Sequence, residues 1–146
     1  MFYEQITSHR TVLSLGKKGN GTMIRESQEV KKIFDELCAQ TKRPFPKFSQ
    51  PLDAPSKPGV YIIRKKEVVL HVGRTLRGKG GIHQRLKNHL HGLSSFSAKY
   101  LKSKGVTLRK DEYTYQYLVL EDPRKRALLE AYAVGTLCPE HIGLGE

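Results

Sequence analysis

Two short runs rich in Val and Ile, residues 59–64 and 68–73, stand three residues apart around Lys65-Lys66-Glu67. β-Branched side chains favour pleated strands, and so short a polar break leaves an antiparallel hairpin as the connection. Which way its side chains point depends on the turn. If Lys65 to Glu67 form a three-residue turn, Tyr61 falls directly opposite His71 and both project from one face. A two-residue turn at Lys65-Lys66 shifts the register by one and sends them to opposite faces. A tyrosine on such a strand is otherwise an ordinary core aromatic.

After the hairpin comes a glycine-rich basic loop, Arg74 to Gly81, then a predicted helix over 82–91 and a short one over about 95–103. A strand is expected from Tyr113 to Leu120. Asp122-Pro123 marks a helix start, with Asp as N-cap and Pro at the first helical position, and that helix runs to about Leu137, before Pro139. The order ββααβα describes an α/β (α+β) domain: an antiparallel sheet of about three strands flanked by helices. Upstream, residues 1 to about 24 read as weak strands or an extended arm carrying Arg10, Lys17 and Lys18. Ser27 is expected to cap a helix over 28–41 with an apolar stripe of Val30, Ile33, Phe34, Leu37 and Cys38. Five prolines between Pro44 and Pro58 then stop regular structure. The chain is therefore expected to divide into an N-terminal arm, helix and connector (1–56) and a main domain (57–146), with no internal repeat.

The chain has 146 residues, room for one core, and a formal charge of +12. From Arg64 to Lys110 thirteen Lys or Arg residues face one acid, Glu67, and four of the six histidines lie in the same window. A charge run is usually a solvated face, but the near absence of acids points to an anionic partner. Basicity alone fits a nucleic-acid binder, a ribosome-associated protein or a membrane-surface binder, and says nothing of catalysis. Cys38 and Cys138 give no disulfide framework or thiolate metal site, so a reduced, cytoplasmic setting is expected. No apolar run reaches the length of a signal-peptide core or a membrane span.

Glu130 is the most informative side chain. Its helix neighbours at three and four residues are Arg126, Ala127, Ala133 and Val134, three of them apolar. A carboxylate in such company needs a cation, a metal or hydrogen-bond donors, and a structural ion pair with Arg126 or another base would serve as well. Arg85 and His89 are four apart and share a helix face, where Arg offers planar donors to phosphate oxygens and His a proton acceptor or donor. Two solvated side chains on a basic helix are the plainer alternative. His83 and His91 fall off that face, and the histidines lack zinc-ligand spacing. Arg74, Arg77 and Lys79 in the glycine-rich loop, with Lys87 on the helix, are candidates for contacting a nucleic-acid backbone.

Gly59-Val60-Tyr61, then nine residues, then His71-Val72-Gly73, followed by Arg85, His89 and Glu130, resemble in order and spacing the signature of the GIY-YIG nucleases. The resemblance covers about residues 57–142. It departs from the family where His71 replaces the tyrosine of the second tripeptide. The late polar residue, often asparagine, has no clear counterpart, His141 being the nearest candidate. What the resemblance implies is a metal-dependent endonuclease, a hydrolase acting on DNA (double-stranded in the first instance) with Mg²⁺ or Mn²⁺. In it Glu130 would hold the metal, Arg85 stabilise the phosphate, His89 orient it or assist proton movement, and Tyr61 act as base or position water. A free tyrosine has a pKa of about 10 and histidine about 6.5, so His71 is expected to take the proton directly or through Tyr61. A catalytically idle nucleic-acid binder and an RNA-associated structural protein remain the alternatives.

Overall fold

A computed structural model of the chain describes residues 25–143. The expected N-terminal strands or arm therefore lie outside the described residues. The elements run α1 (Glu26–Cys38), β1 (Arg43–Pro44), β2 (Gly59–Lys65), β3 (Val68–Arg74) and α2 (Gly81–Leu90). Next comes α3, a π-helical stretch Phe96–Leu101 continued by one α-turn Lys102–Lys104, then β4 (Tyr113–Val119) and α4 (Pro123–Leu137). The strands form one antiparallel sheet in the order β1-β4-β2-β3. Among the described residues it has four strands where about three were expected, because the two-residue β1 pairs with β4 at Tyr115 and Thr114.

Central strand β2 is buried on both faces from Gly59 to Ile63, and its alternation sorts the core into two layers. Val60 and Ile62 pack with Phe34, Leu37, Leu129 and Ala133 under α1 and α4. Tyr61 and Ile63 pack with Ile82, Leu86, Phe96 and Tyr115 under α2 and α3. Helix α1 starts two residues before the expectation and ends three before it. Arg25, not Ser27, is the N-cap, its N–H donating to the Gln28 side chain at 3.2 Å. Glu26 and Glu29 in the first turn complement the helix dipole and meet Arg124 and Lys125 of α4 at 2.9 and 2.5 Å. At the other end, the buried Gln116 amide donates to the carbonyls of Leu37, Cys38 and Gln40 at 3.0–3.2 Å, satisfying helix-end acceptors. Helix α1 and strand β1, from the N-terminal part of the chain, thus share one sheet and one core with the elements from β2 to α4. Asp122 caps α4 as expected, accepting from the N–H groups of Arg124 and Lys125.

The hairpin departs from both expected registers. Lys66 and Glu67 make a two-residue turn, with Lys66 at φ 52°, and Lys65 pairs with Val68. Carried on unbroken, that register would set His71 opposite Ile62, on the far face from Tyr61. A bulge intervenes: Arg64 pairs with Val69 but Ile63 with His71, leaving Leu70 as the extra residue. Tyr61 therefore lies opposite Gly73, diagonal to His71 and on its face, with the two ring centres 6.1 Å apart. A Cβ at position 73 would sit 2.3 Å from the Tyr61 hydroxyl, so only glycine leaves room for the tyrosine to lie across the strand. Among the described residues no helix is long and apolar enough to cross a membrane.

Candidate active site

Strand β3 is the outer strand of the sheet, so α2 from one layer and α4 from the other both reach round its edge. There they enclose an open cleft of about 270 Å³ lined by His71, Gly73, Arg74, Arg85, Glu130 and His141, among others. His141 is brought in by the segment after α4, which straps along β3: Glu140 N–H donates to the Val69 carbonyl (3.2 Å) and His141 N–H to that of Leu70 (2.9 Å).

Glu130 accepts from Arg74 Nε at 3.1 Å, and both side chains stay about one-third exposed at the cleft wall. Arg126 does not take this role. Its guanidinium is spent on the carbonyls of Leu120 and Glu121 at 3.0 and 2.6 Å, fixing the entry to α4. Arg74, expected in the loop, is instead the last residue of β3. Its alternation with Gly73 turns it toward α4, which is why it meets Glu130. Among the described residues no three His, Cys, Asp or Glu side chains converge on one point.

Beneath the cleft floor runs a directed hydrogen-bond chain. The Tyr61 hydroxyl and His89 Nε2 are 2.7 Å apart, and His89 Nδ1 is 2.6 Å from Ser94 Oγ. Ser94 donates to Ser97 Oγ at 3.1 Å, and Ser97 donates to the His89 carbonyl in a very short bond. With its own proton so committed, Ser94 must accept from His89 Nδ1–H as well as from the Ser97 backbone N–H. His89 is then the Nδ1–H tautomer, and its Nε2 accepts from the Tyr61 O–H. Burial holds both ends neutral: Tyr61 is pushed up to about 12, although Arg85 nearby opposes this through its charge and a hydrogen bond. His89 is pushed down to about 2, by burial first and then by the neighbouring His71 and Arg85. Tyr61 and His89 are both essentially buried and do not line the cleft; the Tyr61 ring lies directly behind Gly73.

His71 does line it. Its ring stacks on Phe96 at 4.7 Å and lies 5.0 and 5.5 Å from the rings of His89 and His141. Burial, reinforced by the charge of His141, lowers its pKa to about 4 against an opposing hydrogen bond that the protonated ring would donate to the His141 backbone. Tyr61 hydrogen-bonds His89 and not His71, so the expected proton route from Tyr61 to His71 has no direct bond. Among the described residues four buried side-chain atoms have no hydrogen-bond partner; His71 Nδ1, Arg85 Nε and His141 Nε2 belong to residues that line the cleft, and Arg126 Nε does not.

The remaining candidates are dispersed. Arg77 and Lys79 are exposed on the loop, Lys87 is exposed on α2, His91 follows that helix and His83 lies at its start. Ser94 and Ser97 were not anticipated; the signal was a pair of serines in Leu93-Ser94-Ser95-Phe96-Ser97, five and eight residues after His89.

No family model matches the chain, and no curated protein matches it. Solved structures similar in fold to this chain are GIY-YIG endonuclease domains. Among them are forms of the N-terminal endonuclease domain of UvrC from Thermotoga maritima. The magnesium-bound domain is 20% identical, covering 82% of this chain and 100% of that domain at a TM-score of 0.46. A form with an asparagine-to-alanine change, bound to its catalytic divalent cation, is also 20% identical, covering 82% and 99% at a TM-score of 0.45. What the cleft of the present chain can do is set by its own side chains.

Proposed function

We propose that the protein is a divalent-metal-dependent endonuclease that hydrolyses phosphodiester bonds of DNA. The observation that carries this reading is the unspent polar capacity of the cleft. Orphaned buried polar atoms are rare and costly, and three of them belong to residues lining one cavity beside a carboxylate. Arg85 and the basic surface around it suit an anion, and a phosphodiester satisfies donors of this kind.

The residues present fit a hard divalent cation. Glu130 offers carboxylate oxygen at a wall open to water, the donor type that Mg²⁺ or Mn²⁺ accepts while keeping most of its waters. Glu130 would hold such an ion once Arg74 turns from the carboxylate toward the substrate phosphate. When bound, a divalent ion would supply charge stabilisation for the phosphate and the leaving oxygen. Arg85 would bind the phosphate, its orphaned Nε satisfied by an oxygen. His71 is neutral at pH 7 and is placed to accept the proton of an attacking water; a phosphate beside it would raise its basicity above that of the empty cleft. Tyr61 keeps its proton and acts by position: it donates to His89 and stands beside Arg85, where its hydroxyl oxygen would orient the guanidinium.

The test is incubation of supercoiled DNA, single-stranded DNA and RNA with Mg²⁺, Mn²⁺ or chelator. Metal-dependent nicking of the supercoiled form is expected. Cutting that persists in chelator removes the metal dependence, and none on any substrate removes the enzyme reading. One observation favours a second reading, a catalytically idle nucleic-acid binder: Arg74 already neutralises Glu130. That reading requires binding without cutting, and RNA preference without cutting would mark an RNA-associated protein.

A further inference from the structure

The strap Glu140–His141 separates the cleft from a second cavity of about 290 Å³ on the same side of the sheet. The β3 bulge sends consecutive residues into the two spaces, Leu70 into the second cavity and His71 into the cleft. The strap does the same with Glu140 and His141. Between them stands a column of nearly parallel rings. His71 stacks on Phe96 (4.7 Å, 13°) and Phe96 stacks on Tyr100 (5.5 Å, 14°). The column starts in the cleft and ends at Tyr100, a half-buried ring that lines the second cavity and is held by donating its hydroxyl to Glu140. Two exposed lysines flank the space: Lys104 Nζ stands 5.7 Å from the centre of the Tyr100 ring and Lys65 Nζ 6.0 Å from that of Tyr113.

We propose that this cavity is a nucleotide subsite, in which an unpaired base of the substrate stacks on Tyr100 and its flanking phosphates bind Lys65 and Lys104. The inference rests on the nucleic-acid reading of the cleft and names its substrate class: a strand with an unpaired nucleotide next to the phosphate in the cleft. The charges decide the orientation. Glu140 repels a phosphate from the cavity wall but can accept the N–H groups of a base edge, whereas the lysines at the mouth attract the backbone. Stacking on a tyrosine needs a free π-face, which a paired base in a duplex does not offer. Lys104 is exposed and flexible enough to leave the ring for the phosphate.

The test is fluorescence anisotropy of the full chain, in chelator, with three labelled DNAs of equal length. These are a duplex, the same duplex with one unpaired thymine, and that duplex with an abasic unit replacing the thymine. The thymine-bulged duplex is expected to bind roughly tenfold tighter than the other two. Tyr100→Ala is expected to abolish that preference, while Tyr100→Phe keeps it. Equal binding of bulged and perfect duplex by the unaltered chain overturns the subsite alone, as does a preference that survives the abasic change or Tyr100→Ala. The abasic arm does not depend on a variant folding. Failure of all three DNAs to bind overturns the nucleic-acid reading and the subsite with it.

Discussion

The two layers packed on the sheet are built from the same strand and do different things. Below β2, Val60 and Ile62 meet Phe34, Leu37, Leu129 and Ala133, an apolar cluster in which the one neighbouring buried amide, Gln116, is spent on closing the end of α1. Above β2, Tyr61 and Ile63 meet a layer of rings threaded by the Tyr61–His89–Ser94–Ser97 chain. Alternation along one strand thus separates a layer that holds the fold from one that holds oriented polar groups. The lower layer reaches the cleft at the β3 edge, where Arg74 and Glu130 come round to face Arg85 and His71.

Substitutions should separate the layers in the same way. The largest loss of stability is expected below the sheet. Leu129→Ala leaves a cavity in the aliphatic layer and should cost about 2–5 kcal/mol in urea unfolding, with the folded fraction still cleaving. Equal damage to specific activity would break the distinction. Arg85→Ala should behave in reverse: cleavage falls on the order of 10²–10³-fold while stability by urea changes by less than about 1 kcal/mol. Next comes pH. The folded pKa values of His71 (about 4) and His89 (about 2) lie below the ordinary 6.5, so the unfolded chain takes up protons first as pH falls. Their contribution to stability is complete above pH 6.5 and is lost as pH drops toward 4 and then 2, at up to about 1.4 kcal/mol per unit for each group. A thermal scan across pH 7 to 4 should show Tm falling, and His71→Asn should flatten the curve. An unchanged slope in His71→Asn would remove His71 as a source of it. Ser94→Ala should have the smallest effect, about 1–2 kcal/mol from the lost acceptor. Its signature is spectroscopic: the ring-nitrogen NMR shifts of His89 should move from a single Nδ1–H tautomer to a mixture.

Strands and helices were readable where local chemistry and tertiary packing agree. Asp122-Pro123 places the start of α4, and the Val/Ile runs place β2 and β3, because those signals need no distant partner. The Tyr61–His71 relation was not readable, since it depends on the bulge at Leu70, and a single extra residue leaves no compositional trace. Glu130, Arg85 and His71 do meet in one cleft, but His89 and Tyr61 stand behind it, because burial of a helix face is set by what packs on it. The ion partner of Glu130 was expected to be Arg126, one turn away on the same helix, or another base. It proved to be Arg74, 56 residues distant, a contact only the folded edge of β3 creates.

The central claim, that the β3 edge is a metal-assisted cutting site, rests on Glu130. A plasmid-nicking assay in Mg²⁺ comparing the unaltered chain with Glu130→Gln, alongside DNA binding by both, tests it most directly. The expected result is nicking by the unaltered chain, a loss on the order of 10³-fold or more in Glu130→Gln, and retained DNA binding. An unaltered nicking rate in Glu130→Gln, or no nicking by either protein, would contradict it.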